Sequence, residues 1–323
     1  MKAIIQEAYG SADVLELRDI DEPAIGDGDV LVRVNAAGVD PGVWHLMTGL
    51  PYLIRMMGVG LRAPRSRTPG MAVAGHVQAV GKNVVRFKPG DEVFGTCSGS
   101  FAEYACAREN KLALKPTNLT FEQAAAVPIS AVTALHALRD KGRVGPGQKV
   151  LIIGAGGGVG TFAVQLAKAY GAEVTGVCSA AKQDLVRSIG ADHTIDYTRD
   201  DLGDGNYDLV LSIAGQRSLS QLRRVLTPRG TLVIIGGEGG GRWFGGMGRQ
   251  LGALLLSPFV RHNLRSLISI ERQEDLQFLK EHIEAGKLKP TIDRAFPLRE
   301  APQAIRYLEE GRARGKIVVT VPG

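Results

Sequence analysis

A chain of 323 residues is too long for one ordinary hydrophobic core, so two domains are expected. A composition of 44% hydrophobic and 22% charged residues excludes a disordered chain, and a net charge of +6 from scattered Lys and Arg describes no nucleic-acid surface. No run reaches the roughly 18 apolar residues of a membrane span, and MKAIIQEAYG lacks the features of a signal peptide. Cys97, Cys106 and Cys178 show no CxxC spacing, which suggests reduced thiols and a cytoplasmic address.

Up to Thr120 the chain reads as β-rich. Val30–Val34, Gly75–Val80 and the stretch around Val93 are short, β-branched and bounded by turn residues such as Gly81-Lys82-Asn83 and Lys88-Pro89-Gly90-Asp91. Thr120 and Gln123 have capping-box spacing, and the alanine-rich run to Leu138 predicts a helix broken near Pro128. From Lys149 strands alternate with helices. Strands are predicted at Val150–Ile153, Glu173–Val177, His193–Ile195, Asp208–Ile213, Thr231–Ile235 and Leu267–Ile270. Helices are predicted at Val159–Tyr170, Lys182–Ile189, Ser218–Leu226 and Gly248–Leu256. This alternation predicts an α/β, doubly wound parallel sheet. The tail adds helices near Glu274–Ala285 and Leu298–Glu309, then a strand at Lys316–Val321.

Five glycines fall within the seven residues Gly154–Gly160. Ala155-x-Gly157-x-x-Gly160 follows a buried-looking strand and opens a helix, the place where a dinucleotide pyrophosphate meets backbone N–H groups and a helix N-terminus. Ala155, Gly157, Gly158, Val159 and Gly160 are the candidates for that contact; the alternative is a glycine-rich turn without a ligand. At the end of the second strand an NAD site usually places an acid on the ribose 2′-hydroxyl. Here Cys178-Ser179-Ala180-Ala181-Lys182 offers no carboxylate, while Ser179 donates a hydrogen bond and Lys182 a positive charge, which predicts NADPH over NADH. Lys182 as a solvated first-turn lysine is the other reading. Tyr197, Gly236 and Gly237 complete the candidate cofactor set.

These elements, in this order, resemble the medium-chain dehydrogenase/reductase superfamily in its zinc-free quinone oxidoreductase branch. The resemblance covers nearly the whole chain. It rests on Ala36-Ala37-Gly38-Val39-Asp40, Thr68-Pro69-Gly70 through Gly75, Val80-Gly81 with Pro89-Gly90-Asp91-Glu92-Val93, Phe101-Ala102-Glu103-Tyr104, Ala125-Ala126-Val127-Pro128 and Gly157-Gly158-Val159-Gly160. It implies a GroES-like β domain over 1–124, a Rossmann NADPH domain over 125–265, a last strand and return over 266–323, a cleft between the domains, and a homodimer. Zinc-dependent members carry metal ligands at positions that correspond here to Val39 or Asp40, Met71 and Ala72, and Pro128–Ser130, which form no thiolate–imidazole set. His76 lies beside these positions and is expected to bond to backbone. The chain departs from the family pattern at Ala72, where Asp is frequent, at Asp40, where Asn is frequent, and at Ile213-Ala214-Gly215, where Asn-Val-Gly is frequent.

Without a metal, hydride addition to a quinone or an α,β-unsaturated carbonyl is easier than to a saturated ketone, because the charge spreads to a remote oxygen. Tyr52 resembles, with a one-residue offset, a tyrosine that some enoyl reductases of the family use as proton donor; an aromatic pocket wall is the alternative. Asp40 is a candidate contact on the nicotinamide side, with packing or turn formation as the alternative. The apolar runs Pro51–Met57 and Leu251–Val260 are expected at the cleft mouth, at a subunit contact or in the core. A non-catalytic NADPH-binding protein and a carbonyl or alcohol dehydrogenase are the competing functions.

Overall fold

The computed structural model describes residues 1–203, 205–236 and 241–322. In chain order, β1 (Lys2–Ile5), β2 (Glu16–Asp19) and β3 (Asp29–Val39) precede α1 (Pro41–Thr48), β4 (Ala72–Val80), β5 (Glu92–Thr96), β6 (Tyr104–Arg108) and β7 (Leu112–Leu114). Two helices follow, α2 (Phe121–Ala125) and α3 (Pro128–Leu135). The alternating region comprises β8 (Lys149–Ile153), α4 (Gly158–Ala169), β9 (Glu173–Cys178), α5 (Gln183–Ser188), β10 (His193–Asp196), β11 (Tyr207–Ser212), α6 (Leu219–Arg224) and β12 (Leu226–Ile234). It ends with α7 (Gly241–Phe244), α8 (Met247–Leu256) and β13 (Asn263–Ser266). The tail holds α9 (Gln273–Glu284), β14 (Ile292–Pro297), α10 (Ala301–Glu309) and β15 (Lys316–Thr320).

These elements form two compact units, residues 1–132 with 271–323 and residues 133–270. The first holds a seven-stranded sheet in the order β14-β15-β3-β4-β5-β7, with β6 also on β3. Alternate residues of β3, Val30, Val32 and Val34, enter its core beside Val73, Val77, Val93 and Phe101. The C-terminal strand joins this sheet, pairing Ile317 with Val39 and Val319 with Ala37. Thr120 and Gln123 form the capping box that starts α2, and Pro128 starts α3, where its missing N–H is no loss.

The second unit holds a six-stranded parallel sheet in the order β10-β9-β8-β11-β12-β13. Strand order reverses between β8 and β11, and ligands of such sheets bind at the carboxyl ends beside that reversal. Leu151, Val177, Val210, Leu232 and Ile234 fill one core face.

The last strand lies at Asn263–Ser266 rather than at Leu267–Ile270. Leu264 and Leu267 are both buried, and the Leu267 N–H still donates to the Ile234 carbonyl at 3.0 Å, whereas Ile268 and Ile270 beyond it are 70% and 62% exposed. Apolar character misplaced the strand because those two isoleucines face outward. The units divide after Val132 and Ile270, against the boundaries after residues 124 and 265 read from the sequence. The start of α3 stays with the β unit because Ser130 is bonded there to Asp40.

Candidate cofactor and reaction sites

The glycine turn connects β8 to α4. Gly154 has φ +92°, a left-handed conformation that favours glycine. A Cβ on Gly160 would lie 2.1 Å from the Gly154 carbonyl oxygen, so helix and turn pack too closely for any side chain. Gly157 is different. It is the N-cap of α4, in extended backbone without side-chain capping, and a Cβ there would meet nothing closer than 3.5 Å. The protein does not demand its smallness, which fits a cradle kept open for a ligand. Gly158 and Val159 follow it, half-buried, in the first turn of α4, whose uncapped N–H groups and dipole suit an anion. Ala155 is fully buried and packs against β9 at Gly176, where a Cβ would lie 3.0 Å from the Ala155 methyl.

Ser179, Lys182 and Tyr197 gather at the carboxyl ends of β9 and β10. The Lys182 N–H donates to the Ser179 carbonyl at 2.9 Å, and the Tyr197 N–H to the Cys178 carbonyl at 3.3 Å. The Lys182 stem crosses Gly156, where a Cβ would lie 2.9 Å from both Cβ and Cδ of the lysine. Gly156 therefore seats Lys182 against the turn, a role that spacing within the motif does not reveal. A second missed residue is Asp196, which pairs in register with Cys178. Its Oδ1 accepts from the Thr198 N–H at 3.0 Å and from Oγ1 at 2.8 Å, and these bonds hold the carboxyl below its ordinary range. The carboxylate absent from the end of β9 is thus present one strand away, closing a turn; its Asp-x-Thr spacing is the legible signal.

At the ends of β11 and β12, a Cβ on Gly236 would lie 2.8 Å from the Ile213 carbonyl oxygen, so glycine is needed there. Gly237 lies outside the described residues. Arg249 of α8 donates to the Gly215 carbonyl at 2.5 Å and to Ser212 Oγ at 2.6 Å, and burial pulls its guanidinium below the usual range. Nothing in the sequence links Arg249 to Gly215, 34 residues away.

In the β unit, Asp40 is the N-cap of α1, yet its side chain caps nothing. The carboxylate is buried and pairs instead with Lys316, while Ser130 Oγ donates to it at 2.9 Å. Of the two readings of Asp40, this geometry favours packing. Tyr52 is half-buried after α1, with the Arg55 guanidinium 4.8 Å from its ring centroid. Arg55 also lies 4.2 Å from the Tyr9 centroid and donates through Nε to the Gly49 carbonyl at 2.9 Å. Arg55 is a fourth residue the sequence did not announce. His76 bonds to a side chain, Asn35 Oδ1 at 2.9 Å, rather than to backbone. Met56, Met57, Leu254, Leu255 and Phe259 are all more than half exposed, so the two apolar runs are not ordinary core.

Among the described residues, no group of three or more His, Cys, Asp or Glu is placed to hold a metal ion. All three cysteines are free, and burial raises their thiols, that of Cys97 to about 12.

Residues 26–117 match the alcohol dehydrogenase GroES-like domain, and residues 189–319 match a family described as zinc-binding dehydrogenase. A tomato (Solanum lycopersicum) 2-methylene-furan-3-one reductase is 34% identical over 336 residues, covering 99% of this chain and 79% of the relative. The chain belongs to the medium-chain dehydrogenase/reductase superfamily, in its quinone oxidoreductase-like branch. Within that superfamily, the pig (Sus scrofa) quinone oxidoreductase is 32% identical and covers 99% of this chain and 97% of its own. The Escherichia coli quinone oxidoreductase, solved as a complex with NADPH, superposes with a TM-score of 0.85 at 25% identity over 99% of this chain and 100% of that one.

Proposed function

We propose that this member of the superfamily is an NADPH-dependent oxidoreductase that reduces a quinone or an α,β-unsaturated carbonyl, and that it works without a metal. The open Cβ side of Gly157 at the uncapped start of α4 is the observation that carries the cofactor reading. The backbone of Gly157–Gly160 and the first turn of α4 hold the pyrophosphate, with Gly236 on the nicotinamide side. Ser179, Lys182 and Tyr197 hold the 2′-phosphate, with Gly156 seating the lysine. Bound NADPH supplies the hydride.

Tyr52 serves as proton donor to an enone product, its ring held by Arg55. A quinone takes its protons onto oxygen, where solvent substitutes more readily for a phenol. Metal independence is supported by Met71 and Ala72, which cannot ligate zinc as thiolate or imidazole, and by an Asp40 carboxylate already engaged by Lys316. Free thiols support the cytoplasm as its address, and no helix among the described residues is long and apolar enough to cross a membrane. A homodimer is supported by β13, the outer strand of its sheet, with exposed Ile268 and Ile270 beside it.

The test is steady-state NADPH oxidation by chelator-treated protein with one quinone, one enone and one saturated ketone. Turnover of the first two, with little on the ketone, is expected. Fast ketone reduction lost on chelation would replace this reading with a metal-dependent carbonyl reductase.

A further inference from the structure

Acids are spread less evenly along this chain than bases. Between Asp208 and Glu271 there is one acid, Glu238, against eight arginines and no lysine. This stretch alone carries more positive charge than the net +6 of the whole chain. Among the described residues, Arg217 is the one arginine of the eight in an ion pair, with Asp201 at 3.2 Å.

The same stretch turns apolar side chains outward. In α8, Ala253 is fully buried and Leu256 packs on the core, so those positions serve the fold. Leu251, Leu254 and Leu255 stand at i, i+3 and i+4, on one face of the helix, and Leu255 is 75% exposed. A surface helix ordinarily presents polar residues on its outer face. Trp243 and Phe244 precede the three leucines and Phe259 follows them, each more than half exposed. A single exposed leucine needs no explanation, but six large exposed apolar side chains within seventeen residues do. The exposed Arg242 and Arg261 lie on either side of them in the chain.

An apolar face bordered by cations fits an anionic lipid leaflet, which takes leucine and aromatic side chains at its acyl boundary and guanidinium groups at its phosphates. Nucleic acid offers phosphates but no place for six apolar side chains. A second copy of the chain would set the same arginines against each other across a two-fold axis. We propose that α7, α8 and the turn Ser257–Phe259 form a docking surface for an anionic membrane, with Leu251, Leu254 and Leu255 entering the leaflet and Arg242 and Arg261 at its phosphates. The contact is peripheral, because the ten residues of α8 reach about 15 Å, half of a bilayer core. The inner side of the helix is anchored, since Arg249 donates to the Gly215 carbonyl and to Ser212 Oγ beyond and at the end of β11. The face that meets lipid is thereby fixed to the carboxyl end of the sheet.

The test is co-sedimentation of the full-length protein with vesicles of phosphatidylcholine and with vesicles of equal phosphatidylcholine and phosphatidylglycerol, alongside analytical ultracentrifugation without lipid. Wild type is expected to bind the anionic vesicles at least about tenfold more tightly than the neutral ones, and more weakly as salt rises. Leu254→Ser with Leu255→Ser is expected to weaken anionic binding at least about tenfold. Arg242→Gln with Arg261→Gln is expected to weaken it about 25-fold, at about fivefold per cation. These four side chains are exposed, so both double variants should keep the wild-type unfolding midpoint within about 2 °C. Trp243 emission should shift to the blue on anionic vesicles, and Trp243→Phe should remove that shift. No binding to either vesicle, equal binding to both, or unchanged binding by both double variants overturns the proposal. A blue shift that persists in Trp243→Phe overturns it by placing the contact elsewhere. A leucine variant that loses self-association in the centrifuge overturns it too, because the face would then be a contact between copies.

Discussion

In the parallel-sheet unit, the candidate site is made by side chains that are missing. Gly160 is forced by the Gly154 carbonyl oxygen, Gly156 by the stem of Lys182, and Gly157 by nothing in the protein itself. In the β unit, the candidate residues are side chains held by other side chains. Arg55 stacks on Tyr52 and Tyr9, and Lys316 holds Asp40. A site built from backbone tolerates few substitutions and leaves a local signature. A site built from long-range side-chain contacts leaves no such signature.

That contrast is broken most severely at Gly160. Gly160→Val is expected to yield no folded protein, because the new side chain would overlap backbone; soluble variant with wild-type circular dichroism would show that the turn has slack. Lys182→Ala should raise the NADPH Michaelis constant about ten- to a hundredfold, from a lost charge-assisted contact of roughly 1.5–3 kcal/mol, and leave NADH nearly unchanged. Equal effects on both cofactors, measured by steady-state kinetics, would remove Lys182 from the 2′-phosphate. Tyr52→Phe should slow enone reduction by at most about a hundredfold and quinone reduction much less. The smallest effect is expected at Arg55. Arg55→Met should cost about 1 kcal/mol of stability, read in a thermal melt, and slow enone reduction only a few-fold while leaving the NADPH Michaelis constant alone.

Legibility follows the same division. The strands of the parallel sheet and the glycine turn are readable because their signals lie within a few residues of one another: apolar run, glycines, amphipathic helix. The capping box at Thr120 is readable for the same reason. The strand at Asn263–Ser266 is not, because Ile268 and Ile270 are apolar and yet exposed, so composition points to the wrong four residues. Asp40 and Lys316 are separated by 276 residues, and no spacing rule joins them. Gly156 looks like one more glycine of a motif until Lys182 is seen lying across it.

Our proposal is that the room above Gly157 belongs to the cofactor and not to the protein. It is tested most directly by titrating NADPH, followed by fluorescence, into wild-type protein and Gly157→Val, with thermal melts of both. Gly157→Val is expected to keep the wild-type unfolding midpoint within about 2 °C and to lose NADPH binding, while wild type binds NADPH at least about tenfold more tightly than NADH. A Gly157→Val protein that binds NADPH as wild type does would contradict it.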